Sequence, residues 1–382
     1  MRGTLNWELL QNKKFSIAIY FMLSIFSGKS EGNVIGIDIG TRSIKAIELQ
    51  NKKNKPYLVN YGWVDLISDD APLSDTSQGA YQQRMRSALD QLIASLNTTA
   101  DRANVSIPGF NGLVLMIDFP RMEEAEIEQA IQFEARKYIP ASLDEINISW
   151  EIVPEENVID HISEEDAAID DKEGIMKVLL VAAPKSEVQH YDELFQGMSL
   201  TVDTLELETF SLVRSLIGND PGSFVIVDIG AKTTNLILAR NGIVQINRNV
   251  DVGGRDITNT IADALNIGAE RATTYKEGGR DFLTNVGSSV AFPSLDFIVS
   301  EVERIIAAFG APEDINSIIL SGGSAKMTGI DHYFEKTLKV KTIVGNPWSH
   351  IACDDQIRTY VEKEIGSSFA VAIGLALKDM SS

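Results

Sequence analysis

Residues 34–47 read VIGIDIGTRSIKAI, and residues 225–237 read VIVDIGAKTTNLI. Each is an apolar, β-branched run that delivers an Asp and then a Gly, makes a tight polar turn, and continues into a second apolar run. That is the pattern of two buried strands joined by a short turn. A third strand follows in both copies. In the second, Asn241-Gly242 separates LILAR from IVQINRNV, a strong signal for a two-residue hairpin. In the first, Asn51-Lys52-Lys53-Asn54 separates IKAIELQ from PYLVNYGWV. So long a repeat period indicates a duplicated domain rather than a solenoid. The expectation is an α/β protein built of two similar domains facing one another.

The segment between the copies carries more. Residues 81–97 have helical spacing, with Met85, Leu89, Leu92, Ile93 and Leu96 on one face. From 103 to 202 the pattern is strand (LVLMIDF), helix (123–138), strand (INISWEIV), acidic loop, strand (MKVLLVAA) and helix (185–198), a compact β-α-β-β-α insert. The loop 155–173 holds nine acids and one Lys, which predicts a solvated segment, with an acidic docking role as the alternative. After the second copy, helices are expected from Asp256 and over 294–309. An apolar strand over 315–320 ends at Ser321-Gly322-Gly323-Ser324, and the helix 367–379 is apolar nearly all round and therefore buried.

The chemistry rests on the repeated Asp-Ile-Gly turns. A strand-terminal carboxylate followed by a Gly without Cβ lets backbone amides approach an anion. Gly40, Thr41, Ser43, Gly230, Thr233 and Thr234 supply amides and hydroxyls, and Lys45 and Lys232 supply cations. Two such turns can clamp a polyphosphate. Asp38 and Asp228 would then hold Mg²⁺, mostly through water. One Asp-x-Gly alone would be only a turn; two aligned copies favour nucleotide. Gly322, Gly323 and Ser324 could accept the flat face of a base or ribose. Gly253-Gly254-Arg255-Asp256 opens a helix, where amides also suit an anion.

Composition excludes several classes. The 382 residues include 34 Lys plus Arg and 54 Asp plus Glu, for a net charge of −20. A surface that acidic repels nucleic acid and anionic lipid. With 44% apolar and 23% charged residues the chain is globular. The single Cys353 cannot form an internal disulfide, and the four His at 161, 190, 332 and 350 lack metal-ligand spacing. Trp63, Trp150 and Trp348 are expected in cores. The run Phe15–Phe26 after Lys13 and Lys14 is too short to span a bilayer, which needs roughly 20 residues. It reads as a signal-like leader or, preferably, as the consequence of a true start at Met22. Gly28-Lys29-Ser30 is not a P-loop, because Leu23 stands where its first Gly belongs.

The order VIGIDIGTRSIKAIEL, VIVDIGAKTTNLILARNG, VGGRDIT and IILSGGSAKMTGI resembles the phosphate-1, phosphate-2, connecting and adenosine motifs of the actin-like ATPase superfamily. Phe119-Pro120, then EEAEIEQAIQFEARKYIP at 123–140, then Leu143-Asp144-Glu145, is similar to the inserted subdomain of the PilM family, cytoplasmic actin-like components of type IV pilus assembly. The resemblance implies duplicated ribonuclease H-like domains with an inserted subdomain. A leader would occupy 1–32. The first domain would span 33–105, with 355–382 returning to it, the insert 106–202 and the second domain 203–354, whose smaller subdomain covers about 255–312.

It also implies ATP and Mg²⁺ in the central cleft, with Asp38, Gly40, Thr41, Arg42, Ser43 and Lys45 at phosphate-1. Asp228, Gly230, Lys232, Thr233 and Thr234 fall at phosphate-2, and Gly322, Gly323 and Ser324 at the adenosine. Glu208 falls where the superfamily has Glu-Pro, with Thr209 in place of the Pro, and would orient an attacking water. The family often has Ala-Glu-x-x-Lys where this chain has Ala272-Thr273-Thr274-Tyr275-Lys276. Lys276 is kept for the nucleotide and a ribose-binding carboxylate is lost, so binding with slow hydrolysis is expected.

The implied partners are the cytoplasmic N-terminal peptide of PilN, through it PilO and PilP, the pilus motor ATPases, and further copies of the chain by self-association. The implied location is cytoplasmic, peripheral to the inner membrane. The alternatives are a division filament protein resembling FtsA or a small-molecule phosphotransferase. The first is expected to carry a C-terminal amphipathic helix, where this sequence has Lys378-Asp379-Met380-Ser381-Ser382. The second would need a substrate-side Asp motif that the sequence does not offer.

Overall fold

A computed structural model describes residues 32–66, 78–122, 124–139, 142–153, 175–284 and 290–380. The leader and the acidic segment 155–173 lie outside the described residues. The first copy of the repeat forms β1 (Asn33–Ile39), β2 (Ser43–Lys52) and β3 (Lys55–Asp65), followed by α1 (Gln78–Leu96) and β4 (Arg102–Ile107). Next come β5 (Leu113–Pro120), α2 (Glu124–Ala135), β6 (Ile146–Val153), β7 (Ile175–Pro184), α3 (Lys185–Phe195), β8 (Thr201–Leu207) and α4 (Glu208–Leu216). The second copy forms β9 (Ser223–Ile229), β10 (Thr234–Arg240) and β11 (Ile243–Val250), then α5 (Gly254–Leu265), α6 (Ala269–Glu277) and α7 (Pro293–Phe309). The chain continues through β12 (Ser317–Ser321), α8 (Ile330–Leu338), β13 (Thr342–Val344), α9 (Asp355–Tyr360) and α10 (Ala370–Leu377).

The strands make three sheets, in the orders β3-β2-β1-β4-β8, β11-β10-β9-β12-β13 and β5-β7-β6. The first two share one plan: an antiparallel meander of three strands, then two parallel strands beside the first. Both hairpins turn on two left-handed residues. Asn241 (φ 51) and Gly242 (φ 76) close the second, as the Asn-Gly pair predicts. The first closes on Lys53 (φ 55) and Asn54 (φ 60), a tighter turn than the four polar residues 51–54 suggest.

The third sheet lies in sequence between β4 and β8. Ile127, Ile131 and Ala135 of α2, four residues apart, cover one of its faces at Ile117, Phe119, Val178 and Leu180. On the other face Val114, Leu179 and Val181 join the core of the first sheet together with Val188 and Leu194 of α3.

Two helices tie the halves together. α4 leads from the first sheet toward the second, and α10 returns from the second, its eight residues all buried between β1 and α4. The crossing depends on glycine. A Cβ on Gly374 would lie 1.9 Å from the Ser211 carbonyl oxygen, and one on Gly36 would lie 2.1 Å from that of Ala372. Both obstacles are backbone and cannot rotate away. Gly374→Ala is expected to destabilise the fold by about 3 kcal/mol, read as a lower urea midpoint; an unchanged midpoint would show that the two helices can part at little cost.

Trp63 departs from the core expectation. It is 47% exposed because β3 is the edge of its sheet, and it meets Phe369 edge-on at 6.2 Å. Trp348 is buried, its indole N–H donating to Gly366 O at 2.8 Å. No helix among the described residues is long and apolar enough to cross a membrane.

Candidate functional site

The two Asp-Ile-Gly turns have the same geometry. Gly40 N–H donates to Ser43 O at 3.1 Å, and Gly230 N–H to Thr233 O at 3.0 Å. Each Asp is served by a serine from the adjacent parallel strand. Ser106 of β4 donates to Asp38 Oδ1 at 3.4 Å, and Ser321 of β12, level with Asp228, donates to Ser367 O at 3.3 Å with its hydroxyl close enough to the Asp228 carboxylate to oppose its rise. Opposite each Asp on the antiparallel side stands a different residue: Lys45 for Asp38, with Nζ 3.1 Å from Oδ2, and Asn235 for Asp228. The duplication therefore preserves the carboxylate and its hydroxyl partner and varies the third group.

Glu208 opens α4, and its Oε2 accepts from Gly109 N–H at 3.2 Å. Burial, then the charges of Asp38 and Asp228, push its carboxyl up to about 8, against the opposing Gly109 amide and Lys45. Burial likewise lifts Asp228 to about 6, opposed by Ser321 and Lys45. Burial works against a charged Lys45, but Asp38 outweighs it with help from Asp228 and Glu208, so its pKa rises. Three carboxylates around one ammonium leave an excess of negative charge that suits a cation. Among the described residues no three acidic, His or Cys side chains converge as a direct chelate. A divalent cation here would be held largely through its own waters rather than by direct ligation. Tyr191 of α3 closes this side; burial, then Glu208, Glu187 and Asp38, raise its pKa far above that of free tyrosine.

A second cluster is cationic. Lys276, at the end of α6, is 4% exposed and donates from Nζ to Gly254 O at 3.1 Å. Burial lowers it to about 8, with Glu277 opposing and Arg42 adding to the depression. A Cβ on Gly254 would sit 2.3 Å from Ser324 Oγ and 3.2 Å from Lys276 Nζ, so Gly254, Ser324 and Lys276 meet at one point. Gly322 (φ 85) is required there, because a Cβ would stand 2.4 Å from Ile229 O. Arg42 reaches across to Glu277 at 3.6 Å, both half-exposed. Thr41, Ser43 and Thr233 are partly open, and Lys232 and Gly323 are exposed.

Some predicted donors are committed elsewhere. Thr234 Oγ1 donates to Val252 O at 2.7 Å. Gly253 N–H donates to Asp256 Oδ2, Gly254 N–H to Gly230 O and Arg255 N–H to Ala231 O. The start of α5 thus braces the second Asp-Ile-Gly turn instead of presenting free amides. Sequence reasoning missed Ser106, Ser321 as the partner of Asp228, the Gly109 amide and Tyr191. Extending the repeat to the parallel strands, where VSIPG matches IILSGG, would have found the two serines.

Two facing domains of this plan, with paired acidic turns at the cleft, define an actin-like ATPase fold. The profile of the type IV pilus assembly protein PilM family matches residues 36–380, and the chain belongs to that family. A solved structure described as the PilM-PilN type IV pilus biogenesis complex superposes with a TM-score of 0.74 at 23% identity, covering 92% of this chain and 100% of that one. The ethanolamine utilization protein EutJ of Carboxydothermus hydrogenoformans superposes with a TM-score of 0.50 at 16% identity, covering 92% of each chain. The cell division protein FtsA of Pseudomonas aeruginosa is 22% identical over 384 residues, 88% of each chain.

Proposed function

We propose that the protein binds ATP with Mg²⁺ in this cleft and acts as a cytoplasmic adaptor of type IV pilus assembly. It takes the cytoplasmic N-terminal peptide of PilN and so stands at the inner membrane, linked to PilO and PilP and to the motor ATPases. The observation that carries the nucleotide reading is Lys276, a buried cation that donates to the carbonyl of Gly254, whose own N–H is bonded to Gly230 of the second carboxylate turn. An anion there would satisfy it, and a hydrated Mg²⁺ would satisfy the acids. Asp38 and Asp228 hold the hydrated ion; Gly40, Gly230, Ser324 and Lys276 surround the phosphates. Glu208 is the candidate for orienting water. Thr273 stands where the family often has a ribose-binding carboxylate, so slow hydrolysis is expected, with the nucleotide setting cleft closure rather than driving turnover. The superposition on a PilM-PilN complex supports the peptide reading.

Fluorescence anisotropy tests it, with a labelled PilN N-terminal peptide titrated with and without Mg-ATP, beside a fluorescent ATP analogue titrated alone. Saturable binding of both is expected. Absence of peptide binding in either condition would overturn the adaptor role, and lipid-dependent filaments without peptide binding would favour an FtsA-like one.

A further inference from the structure

The turn that leads into the third sheet is wedged between the two domains. Gly109 gives its N–H to Glu208, and a Cβ there would lie 2.8 Å from Asn235 Nδ2 and 2.9 Å from Asn249 Oδ1. Gly112 sits on Leu207, where a Cβ would come within 2.4 Å of Cδ2. Asn111 Nδ2 donates to Glu187 Oε2 of α3 at 2.9 Å. From Glu208 the contacts continue into the second sheet. Thr209 Oγ1 donates to Asn247 Oδ1 of β11 at 3.1 Å and accepts from Asn235 Nδ2 of β10 at 3.4 Å. Thr209 is fully buried, and Asn235 is buried with its Oδ1 unbonded. A buried hydroxyl bonded at both ends has few alternative positions. A proline at 209 could make neither bond.

We infer that Thr209, with Asn235 and Asn247, is a positioning group that couples the orientation of the inserted subdomain to Glu208 in the cleft. The inserted subdomain enters through 108–112, and its first turn rests on the asparagines of β10 and β11. If the subdomain swings, the Gly109 amide shifts against Glu208. If cleft closure moves β10 and β11, the turn and the subdomain move with them. A peptide that prefers one orientation of the inserted subdomain then changes nucleotide affinity, and the nucleotide changes peptide affinity by the same factor. This rests on the proposed binding of ATP and of a peptide that contacts the inserted subdomain.

The test is a thermodynamic cycle on the full chain. Affinities for the fluorescent ATP analogue with Mg²⁺ and for the PilN peptide are measured alone and with the other ligand saturating. In wild type each ligand is expected to change the other's affinity by roughly fivefold or more. Thr209→Val keeps shape and removes both bonds; Asn247→Ala is the second variant, on a partly exposed strand position, should Thr209→Val fail to fold. Either should bring the coupling within about twofold of unity while leaving peptide affinity without nucleotide unchanged. Wild-type coupling near unity with both ligands bound, or full coupling in a folded variant, would overturn the inference. Failure of the peptide or nucleotide to bind wild type at all would instead overturn the proposed function.

Discussion

Lys276→Met is expected to make the protein more stable and nearly unable to hold nucleotide. Lys276 is 4% exposed with a carbonyl as its hydrogen-bond acceptor, and burial lowers it to about 8 from an ordinary 10.5. A lysine depressed in the folded state costs stability wherever it is protonated in both states. That cost is full below about 8 and shrinks as pH rises toward 10.5. At pH 7 the methionine variant should gain about 2–3 kcal/mol, a gain that fades across that alkaline window. Losing a charge-assisted bond to a phosphate should weaken nucleotide binding about 100-fold. Thermal denaturation from pH 7 to 10 and nucleotide titration together check it. A variant that loses both stability and binding would mean that Lys276 is a structural lysine, whereas unchanged nucleotide affinity would move the phosphates elsewhere.

Glu206→Gln should have the opposite character, a large loss of stability from a site that touches no ligand. Glu206 is buried at the base of α4. Both its oxygens accept from Arg214 at 2.9 Å, with Ser211 donating at 2.7 Å and Lys378 at 3.0 Å. Arg214 also donates to Gly374 O at 2.7 Å, so the cluster fastens α10 to α4. Burial alone would raise the carboxyl; Arg214 and then Lys378 outweigh it and hold it at about 2. Against an unfolded value of 4.5, that depression is worth about 3 kcal/mol. Removing one charge from a buried group of three leaves two cations facing a neutral amide, at a cost of about 3–5 kcal/mol. In wild type the contribution is complete above about 4.5 and lost as pH falls to about 2. Denaturant titration at pH 7 and pH 3 should show the variant and wild type converging in acid. Adding Lys378→Met should recover part of the loss, since one stranded charge is removed. An unaffected midpoint for Glu206→Gln would show that water reaches the cluster.

Local chemistry made much of the fold legible. The Asn241-Gly242 turn follows from two residues that tolerate positive φ, and α10 was recognisable because a helix apolar on every side has nowhere to go but inward. The parallel strands β4 and β8 are not legible in the same way. β4 reads RANVSI, and its polar Asn104 and Ser106 look like loop residues. They are tolerated in a buried strand because Asn104 donates to Leu375 O and Asp379, and Ser106 to Asp38, partners that the fold supplies from elsewhere in the chain. Trp63 misled for a related reason. Alternation says that a residue shares a face with its neighbours, not whether its strand ends up at the edge of the sheet.

The sequence by itself determined the duplication, the two carboxylate turns, the inserted subdomain and the family, because these are written in short contiguous runs whose physics is local. The tertiary structure decided which serine serves each Asp and that α5 spends its amides on the second turn. It also decided that Lys276 is buried against a glycine carbonyl, that burial and two neighbouring Asp raise the carboxyl of Glu208, and that Thr209 bonds to β10 and β11. Each of these depends on groups far apart in the chain arriving within hydrogen-bonding or Coulombic reach, at a burial that no single segment specifies.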